Sequence, residues 1–333
     1  PFVELANTAV DLIRCIHGKD NPVTNRLSFF QRVQEIFRFR AFKTAGTIRG
    51  LLDGHVMESP QSREKMFFDR TTRAVVIDGP GNASIKDVEI QQLRPGEVML
   101  RVDRVAVCAT DLEILDGSLG YFKNGLAQYP ITPGHEFCGT VIDIGTKVTD
   151  LVYGDRVVVE CIQSCGLCKE CLRGNPIGCP ERTELGVFRR DGGYAEHVVV
   201  PAKFTHKVAA DLEPNLAALI EPLAVIHKAL RRLGPKGDAK KGNTGRYAVV
   251  GAGPLGHLCA LVLRARGCQV SVFDRAQPRL NFFTDPSIDV HHDLALLADY
   301  DVVCELTGSA DALEQVLIHT SAGATILLIG LPY

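Results

Sequence analysis

Residues Tyr247 to Asp274 read "YAVVGAGPLGHLCALVLRARGCQVSVFD", and this stretch decides the architecture around it. An apolar run ends in Gly251-Ala252-Gly253-Pro254-Leu255-Gly256. A helical run follows, and a second apolar run closes on Asp274. G-x-G-x-x-G is a weak signal alone. With a strand before it, a helix opening on it and an acidic residue ending the next strand, it becomes the fingerprint of a dinucleotide-binding βαβ unit. Gly251 permits the tight turn, Gly253 lets the backbone approach a pyrophosphate at the helix N-terminus, and Gly256 lets the helix lie close to the strand. Pro254 and Leu255 belong to the same cofactor-binding turn. Asp274 would accept hydrogen bonds from the adenosine ribose, and its charge would repel a 2′-phosphate, favouring NAD over NADP. Arg275 beside it pulls the other way, because an arginine pairs with a phosphate. A purely structural glycine turn is the alternative, and it leaves the strand, helix and aspartate as coincidences.

Downstream, the strand-like runs "CQVSVFD", "DVVCELTG" and "ATILLIG" alternate with helical stretches, which predicts a parallel sheet. Upstream lie a polar linker, "GPKGDAKKGNTG" (234–245), and a helical stretch, "NLAALIEPLAVIHKALRRL" (215–233). Before these, "RAVVIDGPGNASIKDVEI", "GEVMLRVDRVAVC", "GHEFCGTVIDIG", "GDRVVVE" and "GGYAEHVVVPA" read as short strands separated by turns, a β-rich domain. Residues 1–70 carry helical periodicity instead, at Val3, Ala6, Val10, Ile13 and Ile16, then at Leu27, Phe30, Val33 and Phe37. The second helix is rich in Arg and Phe. A solvated basic face explains it better than a phosphate or RNA site, because no nucleic-acid-binding module accompanies it.

Of 333 residues, 46% are hydrophobic and 23% charged, which supports a sizeable core and two domains, or three. Lys and Arg number 37 against 39 Asp and Glu, a net charge of −2 that argues against a general nucleic-acid or anionic-membrane binder. No apolar run reaches membrane-span length, and the first residues lack the basic flank and cleavage site of a secretory signal. The 11 cysteines, an odd number in a long chain, point to reduced thiols in a cytoplasm rather than a disulfide scaffold.

Four of these thiols, Cys165, Cys168, Cys171 and Cys179, fall within "CGLCKECLRGNPIGC". Their spacing suits one loop wrapped around a tetrahedral Zn²⁺. A redox pair or scattered buried thiols are the alternatives, but a redox motif needs two cysteines, not four. Four sulfurs leave no vacancy for a substrate, so this zinc would be structural and the chemistry must lie elsewhere. Cys108 in "VCATD", His135 and Glu136 in "PGHEF", and Glu221 in "IEPLAV" supply the mixed sulfur, imidazole and carboxylate donors typical of catalytic zinc. Singly, each has a plainer reading: a buried core cysteine, a hydrogen-bonded His–Glu pair, a helix-start carboxylate. Spacing alone does not bring them together.

In order and interval, "GHE", "GDRV", the four-cysteine loop, "GGYAEHVVVP", "EPLAV" and "VVGAGPLG" resemble the zinc-containing medium-chain dehydrogenase/reductase family over residues 73–333. The resemblance implies an α/β chain in three parts. These are a helical N-terminal extension (1–72), a GroES-like β-rich catalytic domain with a zinc lobe (73–225) and a Rossmann NAD(P)-binding domain (226–333), with the active site between the last two. It implies that Cys108, His135 and Glu136 reach one catalytic zinc, in addition to the structural one. Asp111 would orient the ligand histidine, and Thr110 would bond the substrate oxygen and begin a proton relay. Glu221 stands where alcohol dehydrogenases of the family carry a ligand cysteine. It is similar to the glutamate of the sorbitol, threonine and glucose dehydrogenase branch, which sits beside the zinc or binds it through water. Glu113 stands where many relatives carry a histidine, as in some sugar dehydrogenases. Cys161, just before the loop, reads as a bystander.

The implied activity is NAD(P)-linked oxidation of a secondary alcohol on a polyol, sugar or hydroxy-amino acid, or the reverse reduction. A simple alcohol or aldehyde dehydrogenase and a non-catalytic NAD-binding relative are the alternatives. The implied partners are a small alcohol or sugar, with no nucleic acid and no membrane, and other copies of the chain in a dimer or tetramer once the sheet is complete. Relatives continue beyond "ATILLIGL", so the last domain is expected to be truncated at its C-terminal end, and the stretch from Asp274 to Asp301 is short for the family.

Overall fold

An antiparallel hairpin of β1 (Thr71–Gly79) and β2 (Asn82–Glu89) opens the described part of the chain. The computed structural model describes residues 71–234 and 245–330; the helices expected over residues 1–70 lie outside the described residues. Two units follow one another, the first ending at Glu221 and the second running from Pro222.

In the first unit come β3 (Glu97–Val105), β4 (Phe137–Ile144) and β5 (Arg156–Val159). Next are β6 (Ile162–Gln163), β7 (Thr183–Leu185) and β8 (Arg189–Arg190), then β9 (His197–Pro201) and β10 (Thr205–Lys207). Five of them form an antiparallel sheet in the order β10-β5-β4-β3-β9, while β6, β7 and β8 make a small sheet whose first two strands bracket the cysteine loop. Val98, Leu100 and Val102 alternate along β3 and meet Phe137, Val141, Val157 and Val200 in one core, the period-2 pattern of a half-buried sheet. The β3–β4 register shifts twice, and such bulges bend a strand. Helix α1 (Ala109–Asp116) follows β3, buries Ile114 and Leu115, and stops at Gly117 in the left-handed conformation.

The second unit is a fully parallel sheet of β11 (Arg246–Val250), β12 (Gln269–Phe273), β13 (Ile288–His291), β14 (Val302–Glu305) and β15 (Thr325–Leu328), in the order β13-β12-β11-β14-β15. Its central strands β11, β12 and β14 bury apolar residues on both faces, as a covered parallel sheet requires. On one face, Tyr247, Val249 and Val272 pack with Ile226 and Leu230 of α2 (Ile220–Arg231) and Leu258 and Leu263 of α3 (Pro254–Ala265). On the other, Ala248, Val250 and Phe273 pack with Val316 of α4 (Ala310–His319). This is the expected α/β architecture, with one correction. The segment between Asp274 and Asp301, read as a helix, holds one helical turn (Gln277–Leu280), the edge strand β13 and a 3-10 helix (Leu294–Asp299). Pro286 interrupts the segment, and Ile288 and Val290 are the only apolar residues that the short strand offers. Among the described residues, no helix is long and apolar enough to cross a membrane.

Candidate active site

Strand register brings the mixed donors together. Val105 at the end of β3 pairs with Phe137 at the start of β4, so the segments carrying Cys108 and His135–Glu136 leave the sheet side by side. Ala106 N donates to Glu136 O at 2.8 Å. Cys108 caps the N-terminus of α1, and donor atoms of Cys108, His135 and Glu136 all lie within 4.8 Å of one another. Behind them sits Asp111, fully buried. Its Oδ2 accepts from Cys108 N and from the Tyr194 hydroxyl, both at 2.9 Å, and its Oδ1 accepts from Gly134 N at 3.3 Å. Oδ1 also lies 3.7 Å from His135 Nδ1, a buried nitrogen with no hydrogen-bond partner. With Nδ1 facing Asp111, Nε2 is the nitrogen left for a metal.

Thr110 is the second residue of α1 and is half-buried. Glu113 has a buried Oε2 without a hydrogen-bond partner, and burial, with the charge of Asp116, pushes its carboxyl up. Glu221, in the first turn of α2, lies outside the three-donor set, yet its charge acts on Glu136. Cys161 lies outside both donor sets. Burial pushes its thiol up, and the charges of Glu221 and Cys108 reach it.

The charges here call for a cation. Burial raises the Cys108 thiol against the pull of His135. Burial lowers His135, but Cys108, Asp111 and Glu136 outweigh it and hold the imidazole up to about 10. Burial raises Glu136 to about 7, with His135 opposing and Glu221 and Asp111 adding. Burial also raises Glu221. Three carboxyl groups and a thiol thus crowd one imidazole, and low dielectric makes that crowding costly. A divalent cation would relieve it. One sulfur, one imidazole nitrogen and one carboxylate oxygen, with a position left open, suit zinc.

The sulfurs of Cys165, Cys168, Cys171 and Cys179 also lie within 4.8 Å of one another, and all four are free thiols. Leu167 N and Cys168 N donate to Cys165 Sγ at 3.4 and 3.3 Å, and Cys165 N donates to Cys179 Sγ at 3.5 Å. Backbone N–H groups favour thiolate, and they bring Cys165 down to about 6. The set fits a tetrahedral zinc site.

In the second unit, β11 lies between β12 and β14, where strand order reverses, the place at which open α/β sheets bind ligands. Gly251 turns there with φ of +105°. A Cβ on Gly256 would stand 1.8 Å from Gly251 O, so only glycine lets α3 approach. Gly253 caps α3, with Pro254 opening the helix and Leu255 following, and a Cβ there would meet open space, a cradle that a pyrophosphate fits. Asp274 Oδ2 accepts from Ala252 N and Oδ1 from Ala276 N, both at 2.8 Å, which fixes the carboxylate at the strand end. The cation beside it is Arg279, with Nη1 3.6 Å from Asp274 Oδ2; Arg275 is exposed. Sequence reading missed Arg279 because the helical turn that returns it to Asp274 had no periodic signal.

Residues 94–210 match the alcohol dehydrogenase GroES-like domain. L-threonine 3-dehydrogenase of Streptomyces coelicolor is 32% identical over 264 residues, 74% of this chain and 73% of that protein. D-altritol 5-dehydrogenase of Agrobacterium fabrum is 33% identical over 257 residues, 75% of this chain and 74% of that protein. The chain belongs to the zinc-containing medium-chain dehydrogenase/reductase family. A solved structure described as a zinc-binding dehydrogenase of Sinorhizobium meliloti 1021 bound to NADP matches this medium-chain dehydrogenase with a TM-score of 0.70 and 28% identity, over 79% of this chain and 78% of that one. Membership makes the chain an oxidoreductase that uses zinc and a nicotinamide cofactor.

Proposed function

We propose that this medium-chain dehydrogenase oxidises a secondary alcohol on a polyol, sugar or hydroxy-amino acid with NAD as acceptor, or runs the reverse reduction. The observation that carries the proposal is the meeting of Cys108, His135 and Glu136 donors within 4.8 Å, backed by Asp111. Two relatives, L-threonine 3-dehydrogenase and D-altritol 5-dehydrogenase, are named for secondary hydroxyls. Asp274, locked at the end of β12, favours NAD because its charge repels a 2′-phosphate.

Cys108, His135 and Glu136 would hold the catalytic zinc, and the four cysteines the structural one. When bound, zinc would supply Lewis-acid polarisation of the substrate hydroxyl and a nicotinamide would supply the hydride acceptor. Thr110 Oγ1 accepts the hydroxyl proton, and the substrate, having lost a proton and a hydride, leaves as a ketone. Glu113 is the next proton acceptor: a carboxyl held above its usual range exchanges protons with water nearer neutral pH. Asp111 keeps the proton of His135 on Nδ1, so that the Nε2 lone pair serves as ligand. Glu221 adds negative charge beside Glu136 and tunes the centre.

Zinc analysis of the purified chain is expected to give two metals per chain. Assays with polyols, sugars, threonine and primary alcohols, each with NAD and NADP and followed by nicotinamide absorbance, should favour secondary alcohols and NAD. A chain that carries both metals and turns over none of these substrates overturns the proposal.

A further inference from the structure

Tyr194 stands in "GGYAEHVVVP", a motif that the chemistry above leaves without a task. Its ring is fully buried, in a core with Ile77, Ile114 and Ile131. A phenol in an apolar core brings a hydroxyl whose loss of water must be offset by a partner. The Tyr194 hydroxyl lies 2.9 Å from Asp111 Oδ2 and 3.2 Å from Ala106 O. It has one proton to donate, and the carboxylate is the stronger acceptor. The same residue also holds the segment that leads to His135. Tyr194 N donates to Pro133 O at 2.9 Å, and a Cβ on Gly134 would stand 2.7 Å from Tyr194 Cδ1. One side chain therefore touches both Asp111 and the backbone next to His135.

We propose that Tyr194 is a positioning residue for the catalytic metal: its hydroxyl fixes the Asp111 carboxylate that faces His135 Nδ1, and so sets the imidazole toward zinc. The proposal rests on the metal-centre reading given above. Asp111 Oδ2 is held by Cys108 N and Tyr194; Oδ1 is held by Gly134 N at the longer distance of 3.3 Å. Without the hydroxyl, one firm anchor remains on Oδ2, and the carboxylate is free to rotate away from His135. Loss of such an outer hydrogen bond typically costs about 10–100-fold in metal affinity. A tyrosine that serves only to fill the core makes the opposite prediction, because phenylalanine fills the same space.

Tyr194→Phe keeps the ring and removes the donor. Zinc affinity is measured by competition with a chelator, the four-cysteine loop serving as an internal control, and cobalt(II) replaces zinc to read the thiolate-to-metal absorption of the mixed centre. The mixed centre of Tyr194→Phe is expected to bind zinc about 10–100-fold more weakly, with an altered cobalt spectrum and an unchanged four-cysteine site. Tyr194→para-aminophenylalanine, which restores an N–H donor, should recover the affinity. In an Asp111→Asn background, Tyr194→Phe should cost nothing further, because the two residues act in series. A wild-type chain with both metals and a Tyr194→Phe chain of equal affinity overturns this proposal and leaves the metal centre standing. Losses spread over both sites, or an unfolded Tyr194→Phe chain, make Tyr194 a general packing residue and also overturn it. A wild-type chain that holds zinc at the four cysteines alone overturns the metal-centre reading, and the proposal with it.

Discussion

In the four-cysteine loop the donors come from one short segment, with Cys179 buried and the other three half-buried, and backbone N–H groups lower the Cys165 thiol to about 6. In the mixed centre the donors come from two strand ends, and burial raises the Cys108 thiol. Hydrogen bonds that the turn supplies stabilise one thiolate of the loop, Cys165, while Cys168, despite a backbone hydrogen bond at Cys171, is held up to about 11 by desolvation and the neighbouring sulfurs. The mixed centre gathers acidic groups in a place that disfavours their charge, and only a cation makes that arrangement comfortable. A site that only holds a metal can be local. A site that acts on a substrate must strip water from its ligands, so it needs a core, and the core must be built from distant parts of the chain.

The strongest way to break this comparison is His135→Ala. Turnover is expected to fall about a thousandfold or more, because a Lewis-acid metal supplies several kcal/mol of transition-state stabilisation. NADH binding, followed by fluorescence titration, should stay near wild type, since the glycine turn belongs to the second unit. Retained turnover in a metal-depleted His135→Ala chain would remove the mixed centre from the chemistry. Next in size is Cys168→Ser, which takes one sulfur from the loop. The loop is expected to lose its metal and the chain about 4 kcal/mol or more of stability, the range seen when a structural metal is lost. The mixed centre should keep its zinc. Metal lost from both sites at once would mean that the two are not the separate devices described here.

The same contrast explains what could be read before folding. The four-cysteine loop was legible because its donors share one segment, and the glycine turn because each glycine answers a separate steric demand. Cys108, His135 and Glu136 could be named through a family resemblance, but residue spacing could not show their meeting. That depends on the register that pairs Val105 with Phe137. Asp111 and Tyr194 make the point more sharply. Each stood inside a quoted motif, yet the bond between them joins residues 83 positions apart and exists only after the segment before β9 has met α1. Strand β13 escaped because two apolar residues in a four-residue edge strand give too short a pattern to count.

The smallest expected effect is a pH dependence of opposite sign at Glu136 and at Cys165. Without metal, Glu136 is held up to about 7, against an ordinary 4.5. A carboxyl raised in this way stabilises the fold in its protonated form, so its contribution is whole below 4.5 and is lost as pH rises through about 7. His135, raised from 6.5 to about 10, has the same sign: its contribution is whole below 6.5 and is lost toward 10. Cys165, lowered from 9.0 to about 6, has the other: its contribution is present above 9.0 and is lost as pH falls through about 6. Urea unfolding of the metal-free chain across this range should therefore give a curve that Glu136→Gln changes below pH 7 and Cys165→Ser changes above pH 6. The Glu136 part is expected to be about 1–3 kcal/mol. Zinc at the mixed centre should erase that part, because the metal takes the place of the protons. If wild-type and Glu136→Gln chains, both stripped of metal, show the same slope between pH 4.5 and 7, Glu136 is not buried among like charges, and the contrast between a local loop and a metal-dependent core loses its physical basis.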